Sequence, residues 1–126
     1  MSPSDARYSV RVLELFRALP GAGPLDGAAG SIATGEAMAL DRSAWVRFEA
    51  RVARGRIAEC RFLAWGCPHV LAAAALAARW LADGPPGRCS AASLAGELDA
   101  PAAKMGRLLV VEDAGRALLA DAARVQ

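Results

Sequence analysis

Apolar residues recur along this chain with two different periods, and the changes of period mark out its elements. Between Ser4 and about Leu19, the positions Val12, Leu15, Phe16 and Leu19 fall three or four residues apart. That spacing predicts an amphipathic helix, and Ser4 is placed to cap it. From Trp45 to Val52 (WVRFEARV) the pattern alternates, with Val46, Phe48, Ala50 and Val52 on one face and Arg47, Glu49 and Arg51 on the other. This is the signature of a half-buried strand. Ala53-Arg54-Gly55 turns the chain into a second strand, Arg56 to Trp65, and the two pair as an antiparallel hairpin. Met38 to Asp41 is the candidate for a third, edge strand.

The helical period returns after Trp65. A helix is predicted from Pro68 to about Ala82, stopped by the breaker cluster Asp83-Gly84-Pro85-Pro86. Two more follow, near Ser90 to Leu98 and Ala102 to Ala123, the last with possible kinks at Gly106 or Gly115. The stretch from Pro20 to Gly35 is rich in Gly, Pro and Ala and reads as an irregular, flexible loop. The order of elements predicts an α+β fold, and 126 residues suit one compact domain with a real core.

Composition narrows the classes of function. No apolar run approaches the roughly 20 residues that span a bilayer, and the first residues have no apolar signal core, so a cytoplasmic location is expected. The net charge of +2 is spread along the chain, and one tyrosine and three phenylalanines offer no stacking platform, which argues against nucleic acid as a partner. Three cysteines at irregular spacing, Cys60, Cys67 and Cys89, do not suggest a disulfide framework. The single histidine gives no Ser-His-Asp arrangement, no phosphate-cradling GxxxxGK[ST] occurs, and no paired catalytic carboxylates stand out. The chain is not expected to be an enzyme.

The strongest chemical signal is RFLAWGCPHVLAAAALAARW, Arg61 to Trp80: a strand, a Gly-Cys-Pro corner and an alanine-rich helix. Pro68 suits the first helical position, where its missing N-H costs nothing. Cys67 then falls at the N-cap, where free backbone N-H groups and the positive helix end favour a thiolate. The bland alternative is a small residue filling a tight corner. Cys60 alternates with Phe62 and Ala64 and reads as an inert core thiol, whereas Cys89 reads as an exposed loop cysteine. His69 either reaches towards Cys67 or faces solvent.

Tyr8-Ser9, Pro20 to Asp26, the hairpin leading into RFLAWGC, Trp80, Gly84 and KMGRLLVVEDAGRALL together resemble the NifU/IscU-type scaffolds of iron-sulfur cluster assembly, in the same order from about Tyr8 to Ala120. The resemblance implies a small three-stranded antiparallel sheet packed against helices, the SufE/NifU-like fold, with an assembly site at one end. It also implies a cluster, or iron or zinc, as cargo, with a chain that binds none as the alternative. A cysteine desulfurase and other assembly proteins are the implied partners, and a homodimer is a further option.

The family site has three cysteines, an aspartate two residues after the first and a histidine just before the third. Cys67 matches the second cysteine, and the His-Cys pair falls on Gly106-Arg107 after Lys104. The Cys-Gly-Asp position falls on Arg42-Ser43-Ala44 without gaps, or on Thr34-Gly35-Glu36 with an insertion. Arg107 would set a cation beside the retained thiol. His69, Asp41 and Glu36 are candidate auxiliary metal ligands. The chaperone motif Leu-Pro-Pro-Val-Lys becomes Ala100-Pro101-Ala102-Ala103-Lys104, which removes most of its apolar anchors and puts that docking in doubt. Glu112 and Asp113 match the family's Glu-Asp pair, or else form a solvated helix face. Three readings follow: a divergent scaffold, a single-cysteine persulfide carrier, and an adaptor or regulator that docks onto the machinery without binding a cluster.

Overall fold

A computed structural model describes residues 8–25, 30–83 and 86–125. The elements run α1 (Val10–Ala18), β1 (Ser31–Met38), β2 (Trp45–Ala53), β3 (Arg56–Trp65), α2 (Pro68–Asp83), α3 (Ala91–Leu98) and α4 (Met105–Arg124). Short 3-10 turns at Pro86–Cys89 and Ala102–Lys104 precede α3 and α4. The strands form one antiparallel sheet in the order β1-β2-β3. The α+β architecture with a three-stranded antiparallel sheet is therefore as expected.

The alternating pattern of β2 folds as it reads: Val46, Phe48, Ala50 and Val52 are all buried. Arg54 and Gly55, at φ +55° and +73°, make the tight reversal into β3, the left-handed geometry that a two-residue hairpin needs. Against the inner face of the sheet lies α2, in which every residue from Ala72 to Ala78 is buried. Its alanines have little side-chain volume, so helix and sheet approach closely while α1, α3 and α4 pack on its other sides. The helix is hydrophobic nearly all round because it is the centre of the molecule.

Three sequence expectations are corrected. The first helix starts at Val10 and not near Ser4: Tyr8 and Ser9 are non-helical, and residues 4–7 lie outside the described residues. Ser9 is the cap, its Oγ accepting from Val12 N at 3.1 Å and donating to the Leu98 carbonyl at 2.5 Å. The cap thus also ties α1 to the end of α3.

The edge strand is Ser31–Met38, not Met38 to Asp41. The segment after it turns instead. Asp41 Oδ1 accepts from the Ser43 N-H and hydroxyl at 3.0 and 2.5 Å, and Arg42 adopts φ +60°. An aspartate whose side chain bonds the backbone two residues on competes with a strand ladder.

The proposed loop from Pro20 to Gly35 contains the first five residues of β1, while residues 26–29 lie outside the described residues. Gly35 serves close approach there. A Cβ on it would lie 2.1 Å from Leu118 N and 2.6 Å from the Ala114 carbonyl, so the backbone of α4 rests directly on the strand. α4 itself runs without interruption through Gly106 and Gly115, and Gly115 packs against Phe48 and Leu81.

Candidate functional site

Three segments converge at one end of the sheet. β3 ends at Trp65, and Gly66 at φ +148° turns the chain into α2, a conformation that L side chains rarely adopt. A Cβ on Gly66 would also press on Val70 at 3.1 Å and Ala44 at 3.3 Å, so this corner is set against the β1–β2 turn. Cys67 follows. Its carbonyl accepts from Val70 N at 3.0 Å and Leu71 N at 3.2 Å, the mark of an N-cap, with Pro68 as the first helical residue. Cys67 is half-buried and packs against the core edge.

The β1–β2 turn supplies the second segment. Ala39 N donates to the Ala44 carbonyl at 2.9 Å and closes the turn, Ala44 is fully buried, and Arg42 is exposed. The first turn of α4 supplies the third: Arg107 Nη1 donates to the Ser43 carbonyl at 3.2 Å. Arg42-Ser43-Ala44, Cys67 and Gly106-Arg107 thus lie around one junction. Thr34-Gly35-Glu36 does not belong to it, since Gly35 sits beneath α4 and Thr34 N donates to Asp121 Oδ2 at 2.9 Å. Of the two candidate positions, Arg42-Ser43-Ala44 is the one that lies at the junction with Cys67.

The auxiliary ligand candidates are not gathered. Glu36 accepts from Trp45 Nε1 at 2.9 Å and Arg47 Nη1 at 3.1 Å on the open face of the sheet. Asp41 is spent on Ser43, and those bonds, with Arg107 nearby, hold its carboxyl below the usual range. His69 neither faces solvent nor pairs: it is buried, and its ring lies 5.1 Å from that of Tyr8 at 48°. Neither ring nitrogen has a hydrogen-bond partner. Burial, reinforced by the Lys104 charge, lowers its pKa and keeps the ring neutral. Among the described residues no group of three or more His, Cys, Asp or Glu could hold a metal ion.

The other two thiols are structural. Cys60 is buried, which pushes its pKa up to about 12. Cys89 is buried too, not exposed in a loop: its Sγ donates to the Ala77 carbonyl at 3.6 Å, and burial raises its pKa to about 11. The 3-10 turn folds Cys89 back onto α2. Thiols of this kind are inert at neutral pH, which leaves Cys67 as the accessible one.

Two features were not anticipated. Glu112 is more than a surface acid, since its Oε1 accepts from Ala91 N at 2.7 Å and serves the N-terminus of α3. Its other oxygen accepts from Arg116 Nη2 at 2.7 Å. A shallow groove of about 500 Å³ also opens beside the junction, lined by Met38, Leu40, Ala103, Arg107, Leu109 and Asp113 among others. It borders a cross-strand row, Met38 opposite Trp45 and Trp45 opposite Trp65, the two indoles stacked at 6.4 Å.

Fold and junction define the class: the chain has the fold of the NifU- and SufU-type scaffolds of iron-sulfur cluster assembly. It is similar in structure to a protein from Fervidobacterium islandicum AW-1 described as an iron-sulfur cluster assembly scaffold for the SUF system. The TM-score is 0.71 at 12% identity, covering 92% of this chain and 98% of the other. It is also similar to the N-terminal part of a nitrogen-fixing NifU-like protein from Brucella abortus, with a TM-score of 0.55 at 15% identity, covering 98% of this chain and 94% of the other. No protein-family model and no curated protein sequence matches the chain. Among the described residues no helix is long and apolar enough to cross a membrane.

Proposed function

We propose that this protein acts in iron-sulfur cluster assembly as a divergent scaffold-type protein whose one cargo-binding group per chain is Cys67, without being an enzyme in its own right. The observation that carries this reading is the position of the thiol. Cys67 stands at the N-cap of α2, at the junction of the β1–β2 turn and the first turn of α4. It is the one cysteine of three that is not sealed in the core.

The thiolate of Cys67 is the form that attacks sulfur or binds soft metals. Sulfur delivery requires nothing further from this chain. The thiolate attacks the terminal sulfur of a donor persulfide, a new S–S bond forms at Cys67, and the donor leaves as its thiolate. A cysteine desulfurase is the natural donor. Holding iron or a cluster as cargo requires thiolates from elsewhere, because the positions around Cys67 carry Arg42, Ser43, Gly106 and Arg107.

The test is to incubate the protein anaerobically with a desulfurase and cysteine, trap thiols by alkylation, and locate added sulfur by peptide mass. Persulfide is expected on Cys67, with none on Cys60 or Cys89. A chain in which Cys67 takes neither sulfur nor alkylating agent supports the adaptor reading instead, in which the fold docks onto the machinery with its site given up.

A further inference from the structure

We propose that the outer edge of β1 is a docking site for a basic, extended segment of a partner protein, which adds to the sheet as a fourth strand and replaces the Asp121 carboxylate on Thr34. β1 is a terminal strand of the sheet, and its pairing with β2 has no bulge. The backbone groups of an antiparallel strand alternate between its two sides. Thr34 N donates to Asp121 Oδ2 at 2.9 Å and so points away from β2, and the N-H and C=O groups of Ile32 and Glu36 point the same way. Among the described residues these four groups have no hydrogen-bond partner. Edge strands are commonly blunted by a proline, a lysine or a bulge, and β1 has none of these. What covers it at Thr34 is one carboxylate from α4. An incoming strand offers a carbonyl to the same N-H and further partners to Ile32 and Glu36, while Asp121 keeps its bond to Arg124.

The charges along this edge indicate which segment fits. Glu36 is exposed on the outer face of the strand, and Asp113 lines the groove that opens beside Met38. Among the described residues Asp113 forms no ion pair. Arg47, one strand in, is shared between Glu36 at 3.1 Å and Glu49 at 3.2 Å, Arg51 opposite Ile32 engages Glu59, and Arg124 is held by Asp121. The remaining cations lie beyond the two ends of the strand: Arg42, Lys104 and Arg107 past Met38, and Arg54 and Arg56 in the β2–β3 turn past Ser31. The edge itself is therefore left negative by Asp113 and by the two glutamates that share Arg47, in a chain whose net charge is +2. A lysine or arginine beside Glu36 makes a favourable cross-strand pair, whereas an acidic segment meets like charge. Ile32 and Met38, 36% and 49% exposed on the same face, offer contact to the stems of its long side chains. This site lies along the flank of the sheet and does not depend on the functional reading of Cys67.

The experiment is fluorescence anisotropy of a labelled, end-blocked eight-residue peptide alternating lysine and valine, titrated with the full chain. Two further peptides are compared with it, one alternating glutamate and valine, the other the lysine peptide with alternate amides N-methylated so that they cannot pair with a strand. The chain is used native and as Glu36→Pro and Ile32→Pro. Each proline removes an outward N-H that no bond of the sheet uses, so both variants are expected to melt close to the native chain, and either one that does so carries the test. The lysine peptide is expected to bind saturably and at least tenfold more tightly than the glutamate peptide. N-methylation, and proline in the strand, are each expected to weaken it at least tenfold. No saturable binding of the lysine peptide up to about 1 mM chain overturns the proposal. So does undiminished binding of the N-methylated peptide or by a folded proline variant, and a glutamate peptide that binds as well as the lysine peptide overturns the assignment of a basic partner.

Discussion

His69 is buried at the start of α2 with both ring nitrogens unpartnered, against the Tyr8 ring and near the Lys104 charge. In the unfolded chain the imidazole takes up a proton near pH 6.5, whereas in the folded chain its pKa is lower. The unfolded state therefore binds more protons as pH falls, and the stability present above about pH 6.5 is lost progressively below it, towards the folded value. Melting temperatures between about pH 7.5 and 5.5 are expected to fall more for the native chain than for His69→Phe. Equal slopes would contradict this account. The Asp41 and Asp121 carboxyls, both held low by hydrogen bonds, titrate in a more acidic range and do not mask the effect. At this scale the sequence was informative where chemistry is local. The Gly-Cys-Pro corner places Cys67 at a helix start whatever lies around it. His69 and Cys89 were harder to place because their burial comes from remote partners: Tyr8 covers one, and a 3-10 turn folds the other onto Ala77.

Elements were legible in proportion to the contrast between their two faces. β2 declares itself through Val46 and Phe48 against Arg47 and Glu49, and α3 through Ser90, whose Oγ accepts from Ser93 N at 3.1 Å. β1 is different. Its inward residues are Ala33 and Gly35, too small to register as an apolar stripe, yet small because α4 lies directly on them. A glycine that permits close approach and a glycine that permits a turn look alike in one sequence. The two are separated by substitution. Gly35→Ala puts a methyl group into the backbone of α4 and is expected to cost at least about 3 kcal/mol in denaturant unfolding, at the upper end for overpacking. A loop glycine would tolerate the same change with little loss, so a cost below about 1 kcal/mol would remove α4 from its place on β1.

For the molecule as a whole, the fold brings together positions that lie far apart in sequence: the β1–β2 turn, the β3–α2 corner and the first turn of α4. The resemblance seen in the sequence implied an assembly site at one end of the molecule, with two competing positions for its first segment. What it did not reveal was the surface beside them, with Leu40 projecting from a turn that had read as strand and a groove running along α4. The account makes Cys67 the group through which cargo is held, and every other thiol incidental. The most direct measurement is iron and acid-labile sulfide per chain after anaerobic reconstitution with iron(II), cysteine and a desulfurase, for the native chain, Cys67→Ser, and Cys60→Ser/Cys89→Ser together. Iron and sulfide are expected on the native chain and on the double variant, and are expected to be lost from Cys67→Ser. Equal iron and sulfide on native and Cys67→Ser protein would contradict the assignment of cargo to Cys67.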